Sequence, residues 1–152
     1  IYSALPKLLE RAGNFKKGSI TGIYTVLVEG DDTNEPISDT VRGIIDGHII
    51  LSRKLASKNH YPAIDVLNSV SRLMTGLVSP EHREAANKMR KMLAILQDNE
   101  DLISIGAYEP GNSPELDNAV AHRESMDEFL TQSIESSFSF EEALQLLIET
   151  VK

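Results

Sequence analysis

The chain has 152 residues, of which 41% are hydrophobic and 25% charged, with no cysteine and a net charge of −8. This is a globular composition, and the length suits one domain or one and a piece at ~100–200 residues per domain. Disulfides and thiolate metal sites are excluded, a reducing compartment is expected, and no apolar run approaches the ~18 residues of a membrane span.

The charge is uneven. Residues 1–99 carry 13 Lys+Arg against 11 Asp+Glu, whereas residues 100–152 carry 2 against 12. An acidic second part disfavours nucleic acid or an anionic membrane on that face. It reads as a solvated face of acidic helices or as a docking surface for a basic partner. The first residue is Ile1, and helical periodicity begins at once, so a fragment or a processed chain is expected.

In chain order, Leu5, Leu8, Leu9 and Ala12 have the i, i+3, i+4, i+7 spacing of an amphipathic helix over Tyr2–Ala12, with Pro6 near its first turn and Gly13 past its end. A polar linker, Asn14–Gly18, follows. Ser19–Val28 (SITGIYTVLV) is β-rich and almost continuously apolar from Ile23, which predicts a strand buried on both faces, as in the centre of a parallel sheet. Glu29–Asp39 is loop. Thr40–Ile45 predicts a short helix, His48–Leu51 a second buried strand, and Arg53–Lys58 another short helix. Two strands do not make a stable sheet alone, so further strands are expected outside this chain.

The stretch His60–Leu73 (HYPAIDVLNSVSRL) separates strand-and-loop sequence from helical sequence and reads as a hinge. Beyond it, Ser79-Pro80 and Ser113-Pro114 each pair an N-cap with proline at the first helical position. Ala85, Met89, Met92, Leu93 and Leu96 form an apolar stripe, with Glu84–Lys88 as an i,i+4 pair. Leu116, Ala119 and Val120 mark a second helix, and Met126, Phe129, Leu130 and Ile134 a further stripe. Ser139 and Glu142 form a capping box for a last helix with Ala143, Leu144, Leu147, Ile148 and Val151 inward.

Few sites of familiar chemistry remain. Asp31 and Asp32 end an apolar run, a placement that holds Mg²⁺ in many nucleotide-binding proteins. No GxxxxGK[ST] loop accompanies them, and a partner-contacting loop is the competing reading. His48, His60, His82 and His122 have no zinc spacing, so no metal site is expected. There is no GxSxG elbow. Tyr61, held extended before Pro62, is either a platform for a purine or a half-buried core aromatic. Arg72 has no acidic residue at i±3 or i±4, so its guanidinium addresses either a phosphate or a distant carboxylate. Asp65 is expected to cap the turn that follows it.

Pro62-Ala63-Ile64-Asp65, three residues, then Ser69-Val70-Ser71 and Arg72 resemble the signature of the rotary ATPase α/β family. Gly18–Thr21 (GSIT), Gly30–Pro36 (GDDTNEP) and Asp46–Ala56 (DGHIILSRKLA) fit it too. With Leu5–Gly13 (LPKLLERAG), His60–Leu67 (HYPAIDVL) and Ile105–Val120 (IGAYEPGNSPELDNAV), essentially the whole chain resembles the flagellum-specific ATPase of the type III secretion family.

The resemblance implies an α+β fragment. Residues 1–68 would be the end of a RecA-like α/β nucleotide-binding core with few strands, and residues 69–152 a C-terminal all-helical bundle. The family's phosphate loop, magnesium aspartate and catalytic glutamate lie upstream, which takes the metal role from Asp31 and Asp32 and leaves their loop facing a central channel. By position, Tyr61 matches the adenine-stacking tyrosine. Arg72 matches the arginine finger that reaches the γ-phosphate held by the neighbouring subunit. Phe140 matches a second aromatic of the adenine pocket, and Ile134 stands where relatives carry an aromatic.

The implied cofactors are ATP and Mg²⁺. The implied assembly is a cytoplasmic homohexamer peripherally associated with the membrane export apparatus. Its implied partners are a stator-like regulator, a shaft-like export protein, export substrates and chaperones, without nucleic acid. The alternatives are a nucleotide-binding subunit of a proton-translocating rotary ATPase, and a non-catalytic helical docking platform for export chaperones.

Overall fold

The computed structural model describes residues 4–28 and 35–152, and Asp31 and Asp32 lie outside the described residues. The chain divides into two compact units, residues 1–48 and 49–152.

In the first unit, α1 (Leu5–Leu9) carries Pro6 in its first turn and buries Leu9. It is shorter than the Tyr2–Ala12 periodicity predicts, because the next residues feed a hairpin. That hairpin is β1 (Gly13–Phe15) and β2 (Gly18–Ile20), antiparallel with Phe15 opposite Gly18. The expected polar linker Asn14–Gly18 is therefore mostly hairpin strand, with a turn only at Lys16-Lys17. Gly13 and Gly18 have φ of 137° and 110°, which a side chain would strain.

The buried strand expected over Ser19–Val28 does not form. β2 ends at Ile20, residues 21–28 have no regular structure, and Ile23 and Leu27 are 93% and 90% exposed. A strand apolar on both faces needs neighbours and covering layers, and the described part of this unit offers only a two-stranded hairpin. Gly22 has a separate reason to be glycine. A Cβ there would stand 2.7 Å from Tyr24 Cε2 and 2.9 Å from Ala12 Cβ. Helix α2 (Pro36–Ile44) starts earlier than predicted, with Pro36 in its first turn, and buries Ser38 and Val41.

The division between the units falls inside β3 (Gly47–Leu51). In the second unit α3 (Arg53–Ser57) follows, its first turn capped by Ser52 Oγ. β4 (Ile64–Ser71) then pairs with β3. The Ser52 amide donates to the Ala63 carbonyl at 2.8 Å, so the exit of β3 lies beside the entry to β4. The stretch read as a hinge is thus largely a strand. Its sequence is mixed, IDVLNSVS, and shows neither clean alternation nor a continuous apolar run.

The remaining elements are helical: α4 (Met74–Leu77), α5 (Pro80–Asp98), α6 (Glu100–Ser104), α7 (Pro114–Ala121), α8 (Arg123–Leu130) and α9 (Phe140–Thr150). The hydroxyls of Ser79, Ser113 and Ser139 accept from the amides of His82, Leu116 and Glu142, and the Ser139–Glu142 capping box is complete. The predicted Glu84–Lys88 pair does not form among the described residues. Lys88 Nζ instead donates to the Lys152 carbonyl at 3.5 Å.

α5 packs against α7 and α9. The core they enclose is Ala85, Met89, Met92, Ala119, Met126, Leu147 and Val151. Each large side chain there contributes ~1.5–3 kcal/mol by leaving water. Ile134 is not part of that core: α8 ends at Leu130 and Ile134 is 99% exposed. No helix among the described residues is long and apolar enough to cross a membrane.

Candidate functional site

Tyr61 sits in the short connection between α3 and β4. Asn59, with φ of 60°, makes the turn out of α3, a conformation asparagine tolerates better than most residues. The His60 amide donates to the Leu55 carbonyl at 3.1 Å, and the Tyr61–Pro62 bond is cis. The ring of Tyr61 is left half in solvent, at 51% exposure.

A second segment runs alongside. After α8 the Thr131 hydroxyl and amide both bond to the Asp127 carbonyl, at 2.8 and 3.0 Å, and the chain turns extended. The Gln132 amide then donates to the Tyr61 carbonyl at 2.8 Å. The Gln132 side chain donates through Nε2 to the Ser136 carbonyl at 2.7 Å. A carbonyl only accepts, so this bond fixes the carboxamide and leaves Oε1 as its accepting end.

Between the two segments lies a cavity of about 550 Å³, lined by Asn59, Tyr61, Thr131, Gln132, Ser133 and Ile134. It combines an aromatic face, an aliphatic side chain and a rim of amides and hydroxyls. Such a lining suits a flat heteroaromatic ring, which stacks on tyrosine and finds polar partners at its edge. Asn59 and the 131–134 segment escaped sequence reasoning, apart from Ile134. Their only signal was the position of Ile134 relative to aromatics in related chains.

Arg72 follows β4 at the end opposite Tyr61. It is exposed and makes an interaction within the chain. The residues leading to it are held by Asp65, whose carboxylate accepts from the Asn68 amide at 3.0 Å and from Asn68 Nδ2 at 2.8 Å. Ser69 Oγ donates to the Asp65 carbonyl and accepts from the Ile50 amide. The turn expected after Asp65 does not form, since Asp65 lies inside β4, but its carboxylate and carbonyl hold Asn68 and Ser69 on the path to Arg72.

Phe140 lies elsewhere, in the first turn of α9, with its ring centroid 5.8 Å from that of His82. It does not line the cavity beside Tyr61. Among the described residues no group of three or more His, Asp or Glu is arranged to hold a metal ion.

A family model described as the ATP synthase alpha/beta family, nucleotide-binding domain, matches residues 1–71. A second, described as the T3SS EscN ATPase C-terminal domain, matches residues 78–149. The chain belongs to the type III secretion ATPase family. It is 52% identical over 147 residues to the flagellum-specific ATP synthase of Treponema pallidum, an alignment covering 97% of this chain and 33% of that protein. The assembled ATPase EscN of the enteropathogenic E. coli type III secretion system superposes with a TM-score of 0.96 at 48% identity, over 99% of this chain and 37% of that one. EscN in complex with its central stalk EscO superposes with a TM-score of 0.88 at 46% identity, over 99% of this chain and 36% of that one. The chain therefore spans about a third of the length of the curated relatives it matches.

Proposed function

We propose that this chain is the C-terminal part of an ATPase that hydrolyses ATP to energise flagellar or type III protein export. The observation that carries the reading is the half-exposed Tyr61 ring beside an open cavity, in a fold whose relatives include proteins named as type III secretion ATPases. Tyr61 stacks on the adenine of the nucleotide held by its own subunit, and Ile134 gives the second wall. Phe140, set against His82 in the first turn of α9, is the second aromatic that the family resemblance assigns to the base.

Arg72 acts on the nucleotide of the next subunit in a homohexamer. There its guanidinium stabilises the charge on the transferring phosphoryl group, while a glutamate outside this chain orients the attacking water. Mg²⁺ and the phosphates are held by the same missing part, and the described residues fit only the base of the nucleotide. The boundary between the RecA-like core and the helical domain falls at residues 68/69.

A ring of such subunits in the cytoplasm, peripherally attached to the export apparatus, would engage a central shaft as EscN engages EscO. A stator-like regulator, export substrates and chaperones would bind on its outside. The 12 acidic against 2 basic residues of 100–152 favour a basic partner on the helical unit.

The reading is tested by measuring ATP turnover of the full-length protein and of these 152 residues alone. The full-length protein turns over and the shorter chain does not; absence of turnover in the assembled full-length protein would overturn the proposal.

A further inference from the structure

We propose that His60 and Asp127 form a clasp that positions the two walls of the base cavity and thereby sets the affinity for nucleotide without touching it. The inference rests on the adenine-site reading above. The walls belong to distant parts of the chain, the Asn59–Tyr61 turn and the Thr131–Ile134 segment. Two polar contacts join them. One is the backbone bond from the Gln132 amide to the Tyr61 carbonyl. The other pairs His60 Nδ1 with Asp127 Oδ1 at 3.1 Å, across 67 residues of sequence.

The chemistry of the pair is directional. An ionised carboxylate only accepts, so the proton of this bond sits on His60 Nδ1. The His60 side chain is 13% exposed, so its contact with the carboxylate is shielded from water on the imidazole side. Each partner is also tied to the wall it serves. The His60 amide is bonded to the Leu55 carbonyl at the end of α3, immediately before Tyr61. The Asp127 carbonyl accepts from both the amide and the hydroxyl of Thr131, at the end of α8 immediately before Gln132. Asp127 therefore fixes where the second wall starts and, through its carboxylate, how far that wall stands from Tyr61. Neither side chain lines the cavity, so their influence on a bound ring passes through wall spacing.

A bridge that served stability alone would move the melting temperature and leave nucleotide affinity unchanged. The clasp predicts otherwise. In the assembled full-length protein, Asp127→Ala and His60→Ala each raise KM for ATP roughly three- to tenfold with little change in kcat, as loss of one charge-assisted hydrogen bond allows. The double variant is no worse than either single one, because both remove the same interaction. His60→Asn, whose side-chain amide donates from a place near Nδ1, restores KM.

Asp127 is 70% exposed, so its substitution tests the clasp even if His60→Ala folds poorly. Unchanged KM in Asp127→Ala overturns the inference, and so does a fall in kcat at constant KM. Tyr61→Ala, measured alongside, separates the two levels. If it raises KM while Asp127→Ala does not, the clasp alone fails. If it too leaves KM unchanged, the adenine-site reading fails with it.

Discussion

Tyr61 can offer an open ring because its backbone is held from the other side. Its carbonyl is taken by Gln132, and the neighbouring amide of His60 is anchored to α3. A stacked base is worth ~1–3 kcal/mol, so Tyr61→Ala should weaken ATP binding to the full-length protein roughly five- to 150-fold. Titration with a fluorescent ATP analogue measures this, and Tyr61→Phe should bind as the parent does. From the residues alone, the candidacies of Tyr61 and Arg72 were visible but undecided, since an aromatic before proline and an arginine with no acidic residue at i±3 or i±4 have ordinary structural uses. Asp65 was read as a turn cap but lies inside β4, where its carboxylate still takes the nearby Asn68 amide. The 131–134 wall was not, because it meets Tyr61 only through tertiary folding.

At the scale of elements, what was legible followed how local the signal is. The serines at positions 79, 113 and 139 announce helix starts within three residues, and all three make the capping bond. The Ala85–Met89–Met92 stripe likewise becomes core. The apolar run ending at Val28 misled because strand formation is non-local. Apolar sequence states a need for partner strands, and the described residues do not supply them. β4 was hidden for the complementary reason, since its Asp65, Asn68 and Ser69 bond one another locally while the backbone pairs with β3. Two substitutions test the helical unit by thermal unfolding of the purified chain. Ser139→Ala should cost ~0.5–2 kcal/mol by removing a cap. Met126→Ala, at a side chain only 1% exposed, should cost ~2–5 kcal/mol by opening a cavity.

On the scale of the whole molecule, the acidic second part of the chain is tied back to cations of its own. Lys54 and Lys58 donate to the two oxygens of Glu100 at 2.7 and 3.0 Å, and Lys91 donates to Glu115 at 2.6 Å. Those hydrogen bonds from Lys54 and Lys58 hold the Glu100 carboxyl down from the ordinary 4.5 to about 2. A depressed carboxyl stabilises the fold above its unfolded value and loses that contribution as pH falls through the folded one. Melting of the purified chain should therefore show Glu100→Gln less stable than the parent at pH 7, with the difference shrinking between pH 4.5 and about 2. These groups are exposed, so the difference should be small and should shrink further in concentrated salt.

In the proposed hexamer a catalytic site is completed only between subunits, by an arginine that contributes nothing to the nucleotide held by its own subunit. The most direct measurement is ATP turnover beside ATP affinity for Arg72→Ala in the assembled full-length protein. Arginine fingers contribute on the order of 10³–10⁵ in rate. Turnover should fall by at least about a thousandfold while nucleotide affinity stays close to that of the parent. Turnover at the parental rate in an Arg72→Ala assembly would contradict this completion between subunits.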